Sequence, residues 1–176
     1  MRFTMTVTGK KKQVVKVRTT KNLAAKKSGA KIISTAPGSI HEKFLIDGTE
    51  TAPWAVVSDG NVDTTNPKIA IDLAGKKSTV RTVAVSSMLQ RNQGDPDGGS
   101  RFTALRKFAV EACTKKCGTA KAKWKRVYTS PSNAFPSRLP RPVAPTLIMR
   151  SFKIKPTRAA ALRLVVLENQ CTGGPA

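Results

Sequence analysis

Leu45-Ile46-Asp47-Gly48-Thr49-Glu50-Thr51-Ala52-Pro53-Trp54 is a polar loop ending on a tryptophan, and the alternating run Lys68-Ile69-Ala70-Ile71-Asp72-Leu73-Ala74-Gly75 follows it. A second alternating run, Ala161-Leu162-Arg163-Leu164-Val165-Val166-Leu167, comes near the end of the chain. Alternation at period two puts every other residue on one face, so each run reads as a half-buried strand. A loop rich in oxygen donors beside such strands implies a β-sandwich whose loops do the binding. That favours a binding module over an enzyme.

The same pattern recurs outward from these runs. Lys31-Ile32-Ile33-Ser34, Ala55-Val56-Val57, Val80 to Met88, Lys107 to Ala112, Trp124 to Tyr128 and Leu147 to Ile154 read as further short strands. Residues 3–8 and 13–18 flank Gly9-Lys10-Lys11-Lys12 and read as a basic hairpin or two edge strands. Pro37-Gly38-Ser39 is a turn, and Pro156 is expected to turn the chain between the last two strands. Pro131 to Pro145 carries prolines at 131, 136, 140, 142 and 145, so it is neither a helix nor a central strand. Short strands with frequent turns and no βαβ alternation mean a sandwich or barrel.

The chain has 176 residues, about one domain with one core. No run of about 18 apolar residues spans a membrane. No apolar stretch follows the basic N-terminus as a signal peptide would require, so the chain is expected to be cytoplasmic or part of a larger precursor. Its 32 lysines and arginines against 10 acids leave a net charge of +22. No acid precedes Glu42, and none lies between Glu111 and Glu168. Lys10, Lys11 and Lys12 form one cationic block; Lys115, Lys116, Lys121, Lys123, Lys125 and Arg126 form another. Such fields attract glycans with acid groups, other anionic polymers such as teichoic acid, nucleic acid, anionic lipid or an acidic protein surface; equally, lysines can serve solubility alone.

Catalytic chemistry is poorly supplied. His41 is the one histidine, and no HExxH, Gly-x-Ser-x-Gly or phosphate-cradling glycine motif occurs. Calcium fits better, because hard cations take clustered oxygens from loops. Asp47, Thr49 and Thr51 project oxygens from one loop, and Asp59, Asn61 and Asp63 share the spacing that starts an EF-type loop. That second match fails at Thr64 and Ala70, where glycine and glutamate would stand. Asp95-Pro96-Asp97-Gly98 is a third acidic turn, and each of the three also reads as a solvated turn without metal. Trp124 and Tyr128 stand beside Lys123, Lys125 and Arg126, a stacking-plus-charge pattern suited to single-stranded nucleic acid or to sugar. At a spacing of four on a strand they are expected on one face together with Arg126, and core packing is the expected fate of at least one of them. Cys113 and Cys117 could close a small loop, leaving Cys171 over; three reduced thiols are the other reading.

The order of these pieces resembles a discoidin domain, the coagulation-factor type C module. Asn22-Leu23-Ala24-Ala25, Asp47 to Trp54, Ile69-Ala70-Ile71-Asp72-Leu73, Trp124 to Tyr128 and Leu162-Arg163-Leu164 carry the likeness, over about residues 20–170. The resemblance implies an all-β jelly-roll β-sandwich of the galactose-binding-like class, binding glycans, lipid head groups or proteins through loops, in some cases with a structural calcium. Ala52 stands where the family's calcium loop usually has threonine, and Thr51 is out of register. Ser100 to Arg106, Tyr128 to Pro131, Ala134-Phe135-Pro136, Pro140 to Pro145 and Glu168 to Pro175 are similar to C-terminal accessory domains of actinobacterial secreted fungalysin-type metallopeptidases. On that likeness Cys171 would pair beyond Ala176. The resulting expectation is a basic N-terminal segment (1–20), a sandwich (21–170) and an exit segment (171–176). Its function is non-catalytic targeting to a glycan or anionic cell-surface polymer, secreted within a larger precursor. Asp47, Thr49, Trp54, Asn92 and Arg101 are the expected loop ligands. A basic nucleic-acid binder in the cytoplasm is the alternative.

Overall fold

Alternating strands are stable only when something covers their apolar face, and in this chain two sheets cover each other. The computed structural model describes residues 21–49, 54–56, 65–87, 105–132, 134–135 and 148–169. Strands are numbered in chain order. The first layer is an antiparallel sheet in the order β1 (Lys31–Thr35), β4 (Lys68–Asp72), β9 (Ala161–Asn169), β6 (Leu105–Cys113) and β7 (Lys125–Thr129). The second is the antiparallel pair β5 (Ser78–Ser87) and β8 (Ile148–Ala159). β2 (Ser39–Ile40) and β3 (Ala55–Val56) make a separate two-stranded ribbon. The chain is all-β: among the described residues the helical pieces are two 3-10 turns, Lys26–Ser28 and Glu42–Leu45.

The core lies between the layers. From the first sheet Phe108, Val110, Ala112, Leu162 and Leu164 point inward, and Val80, Val83, Val85, Phe152 and Ile154 of β5 and β8 meet them. Phe108 is fully buried at the centre of an aromatic cluster, edge-on to Phe152 at 5.0 Å between ring centres and 5.9 Å from Tyr128. Ala134 and Phe135, from the proline-rich stretch, close this cluster and are themselves buried.

Two of the ladder irregularities overturn the sequence reading. In β5, Val80 pairs with Thr157 and Thr82 with Lys153, so Arg81 faces three residues of β8, Ile154 to Pro156. The Pro156 turn expected from the sequence is therefore corrected: Pro156 lies within β8. A bulge, in a strand pairing with β5 alone among the described residues, removes the need for the N–H that proline lacks. In the β6–β7 pair, Val110 opposes Tyr128 but Glu111 opposes Arg126, so Val127 is the extra residue. β6 also begins earlier than Lys107, at Leu105. The expected hairpin over 3–18 lies outside the described residues, as do Asp59, Asn61, Asp63 and the Asp95–Gly98 turn.

The registers define two ends. Lys31, Asp72, Ala161 and Cys113 align across the first sheet at what we term the near end. Lys68, Leu105, Thr129 and Asn169 belong to the far end. β5 leaves the near end after the turn 73–77 and reaches the far end at Ser87, paired with Ile148.

Candidate functional site

Asp47 opens a tight turn in which Gly48 takes a positive φ of 87°, a backbone region glycine enters without penalty. Its carboxylate accepts the Thr49 N–H at 2.7 Å and the Thr49 hydroxyl at 2.9–3.0 Å, an Asx-type turn. Just before it, the Ile46 carbonyl accepts the Lys26 N–H at 2.6 Å. Lys26 lies a few residues before β1, so Asp47 and Thr49 stand at the near end. Trp54 is held differently: its indole N–H donates to the Ser39 hydroxyl at 3.1 Å, across the β2–β3 ribbon that follows the far end of β1.

Asn92 and Arg101 lie outside the described residues, but the strand ends on either side of them are placed. Ser87 and Leu105 both stand at the far end. The two loop segments that sequence reading groups into one binding region thus leave the sandwich differently. Asp47 and Thr49 belong to the near end, whereas the connection containing Asn92 and Arg101 starts and finishes at the far end. Spacing along the chain carries no information on which end a loop occupies.

The far end carries polar groups the sequence reading missed. Glu168 accepts from Lys107 at 3.1 Å and from the Ser132 hydroxyl at 3.4 Å, and Arg106 lies 3.7 Å from its other oxygen. Arg106 also donates to the Ser132 carbonyl at 3.1 Å, and Arg150 donates to the Ala134 carbonyl. Ser130, nearly fully buried, accepts the Phe108 N–H at 2.9 Å and donates to the Pro131 carbonyl at 3.1 Å. These bonds pin the start of the proline-rich stretch to β6 and β9. One signal was readable: Glu168 is the first acid after Glu111 in a strongly basic chain, and so a natural partner for nearby cations.

Trp124 and Tyr128 do not form a stacking pair. The bulge at Val127 sends Tyr128 into the core with Phe108 and Phe152. Arg126 instead reaches Glu111 at 3.5 Å on the outer face. The expected sharing of one face by Trp124, Arg126 and Tyr128 is thereby corrected. Arg163 lies over the Trp124 ring at 4.5 Å and donates to Glu111 at 2.8 Å. One face of the indole is therefore already occupied.

Lys115, Lys116, Lys121 and Lys123 are all exposed on the connection between β6 and β7. A disulfide joins Cys113 to Cys117, with Cα atoms 5.7 Å apart, and closes the base of this connection. Lys10, Lys11, Lys12 and Thr51 lie outside the described residues. His41, an exposed residue at a φ of 61°, stacks loosely on Phe44 with ring centres 5.6 Å apart.

For calcium the described donors are too few. Asp47 and Thr49 supply one carboxylate and one hydroxyl, bonded to each other, against the six to eight oxygens the ion takes. Among the described residues no three histidines, cysteines or acids converge as a metal group. No step or role is therefore assigned to calcium.

No family model matches the chain, and no curated protein matches it. Solved structures do. CBM32-3 from a family 31 glycoside hydrolase of Clostridium perfringens is similar at a TM-score of 0.54 and 16% identity, over 81% of this chain and 80% of that one. The family 32 carbohydrate-binding module from Streptococcus pneumoniae EndoD is similar at a TM-score of 0.51 and 17% identity, over 89% and 91% of the two chains. CpGH89CBM32-5 from Clostridium perfringens, solved in complex with GalNAc-β-1,3-galactose, is similar at a TM-score of 0.50 and 20% identity, over 82% and 86%. These likenesses show the fold, an all-β jelly-roll sandwich like that of family 32 carbohydrate-binding modules.

Proposed function

We propose that this chain is a non-catalytic carbohydrate-binding module that targets a larger secreted protein to a glycan. The observation that carries the reading is the jelly-roll fold, shared nearly end to end with modules named for sugar binding. The far end is the proposed sugar site. Glu168, Arg106 and Ser130 brace the strand ends there, and the Ser87–Leu105 connection supplies Asn92 and Arg101 as proposed ligands. The unit of binding is proposed as 21–170. By analogy with the complexed neighbour, a galactose-containing oligosaccharide is the first ligand to try. The Cys113–Cys117 disulfide supports an extracellular setting, since such bonds persist in oxidising compartments. The similarity of the 100–106, 134–136 and 168–175 stretches to accessory domains of fungalysin-type metallopeptidases makes such an enzyme the proposed partner in the same polypeptide.

Titration calorimetry against GalNAc-β-1,3-galactose and a panel of neutral and acidic oligosaccharides tests the sugar site. Saturable binding with a Kd of about 1 mM or tighter, near −4 kcal/mol, is expected, with loss in Arg101→Ala. No binding to any sugar of the panel would remove the reading. A reading frame without a peptidase domain alongside would remove the partner alone.

A further inference from the structure

We propose that the near end is a second docking surface, for a linear acidic polysaccharide, made by lysines on three neighbouring loops, two of them tied together at Ala160. It deepens the glycan-binding reading and rests on it only for the polymer being a polysaccharide. The tie is a pair of backbone bonds. The Ala160 carbonyl accepts the Leu73 N–H at 2.8 Å, and the Ala160 N–H donates to the Cys113 carbonyl at 2.8 Å. One residue therefore joins the turn at 73–77 to the disulfide loop. The Lys26–Ser28 turn adjoins them, for a β-carbon on Gly29 would stand 3.1 Å from that of Ala74. Lys26, Lys27, Lys76, Lys77, Lys115 and Lys116 are exposed on these three loops.

The lysines are held in place but not neutralised. Asp72, the acid nearest the 73–77 turn, accepts the Gly75 N–H at 2.5 Å and is spent on the turn itself. Glu111 is taken by Arg163 and Arg126. Among the described residues none of the six lysines is in an ion pair. The disulfide, the Thr119 hydroxyl on the Lys116 carbonyl at 2.9 Å, and Ala160 fix the backbone that carries them. Side-chain freedom remains, but the loops need no ordering when a polymer binds.

The chemistry selects the partner. Six lysines against two acids, Asp72 and Asp47, each hydrogen-bonded within its own turn, leave an excess of cations that fits a chain with regularly spaced anions. All six are lysines, hydrated point charges that attract anions without imposing a planar, bidentate geometry on them. Binding single-stranded nucleic acid needs stacking platforms beside the charge. Here Trp124 is covered on one face by Arg163 and Tyr128 is in the core, so this aromatic pair offers no shared stacking platform beside the charge. Carboxylates or sulfates along a polysaccharide meet the remaining requirement, which is charge alone.

The test compares two double variants that each remove two cations. One is Lys115→Ser with Lys116→Asn, asparagine being chosen because position 116 has a φ of 55°. The other is Arg81→Ser with Lys153→Ser, exposed residues of the opposite sheet. Binding to size-fractionated heparin is measured against salt, with GalNAc-β-1,3-galactose and a short DNA duplex as parallel ligands and the unfolding midpoint as a check of folding. The near-end variant should lose heparin affinity roughly tenfold and flatten the log–log salt slope by about 1.5, as expected for two lost counterion-releasing contacts. The control should lose far less, and both should keep the neutral sugar. Equal losses in the two variants, or no heparin binding at low salt, would overturn the surface. Tighter binding of the duplex than of heparin at equal salt would overturn the polysaccharide in favour of nucleic acid. Loss of neutral sugar binding by the unmodified protein would instead strike the far-end site and leave the near-end result standing.

Discussion

The guanidinium of Arg163 lies 4.5 Å from the centre of the Trp124 ring and at the same time donates to Glu111. Glu111 is the more buried member of this group, its side chain only 13% exposed, with Arg163 at 21% and Arg126 at 50%. Removing the acid leaves Arg163 partly buried without its partner. Glu111→Gln should cost about 1.5–3 kcal/mol in urea unfolding, the range for hydrogen bonds to charged groups. Arg126→Ala, at the exposed rim of the same group, should cost under about 1 kcal/mol. Equal costs would mean that the group does not act through burial.

Ser130 is the buried hydroxyl that satisfies the Phe108 N–H. Ser130→Ala should cost about 1–3 kcal/mol, because the orphaned N–H stays buried. Amide exchange supplies the specific readout: the Phe108 N–H should lose protection more than those of its β6 neighbours.

Phe108 and Phe152 meet edge to face at 5.0 Å. Phe108→Ala should cost about 3–5 kcal/mol, as expected for a fully buried aromatic. A double-mutant cycle with Phe152→Leu should show coupling of about 0.5–1.5 kcal/mol. A cycle that closes with no coupling would place the two rings apart.

The Cys113–Cys117 bridge closes a loop of only a few residues, so its effect on the unfolded chain is modest. Replacing both cysteines by serine should cost about 2 kcal/mol on the chain-entropy argument. Mild reduction should reproduce that shift in the unmodified protein and leave the double serine variant unaffected.

The strands were legible wherever alternation was strict and burial one-sided. Ile69 and Ile71 pair with Leu164 and Leu162, as their spacing alone required of inward residues. Legibility failed where parity broke. Nothing in Lys125-Arg126-Val127-Tyr128 announces that Val127 is an extra residue; that depends on β6 across the ladder. Pro156 reads as a breaker locally and becomes tolerable only because Arg81 leaves room opposite it. The grouping of the candidate loops was unreadable for another reason. Asp47 and Arg101 are both in loops, but which end a loop occupies follows from strand order, and strand order is a property of the whole sheet. Lys115 and Lys116, by contrast, were visible as charge; that the 73–77 turn and the Lys26–Ser28 turn lie beside them shows only in the bonds to Ala160 and the approach of Gly29 to Ala74.

The ten residues of β5 run from one end of the sandwich to the other. At about 3.3 Å per residue the strand is some 30 Å long, close to three screening lengths in 0.1 M salt. The field of the lysines at one end is therefore nearly extinguished at the other. On the proposed reading, a neutral sugar would be gripped or released at the far end without registering the charge state of the near end. With both proposed contacts in place, the sandwich would act as a spacer between two sites that do not sense each other, bridging two materials that share no chemistry.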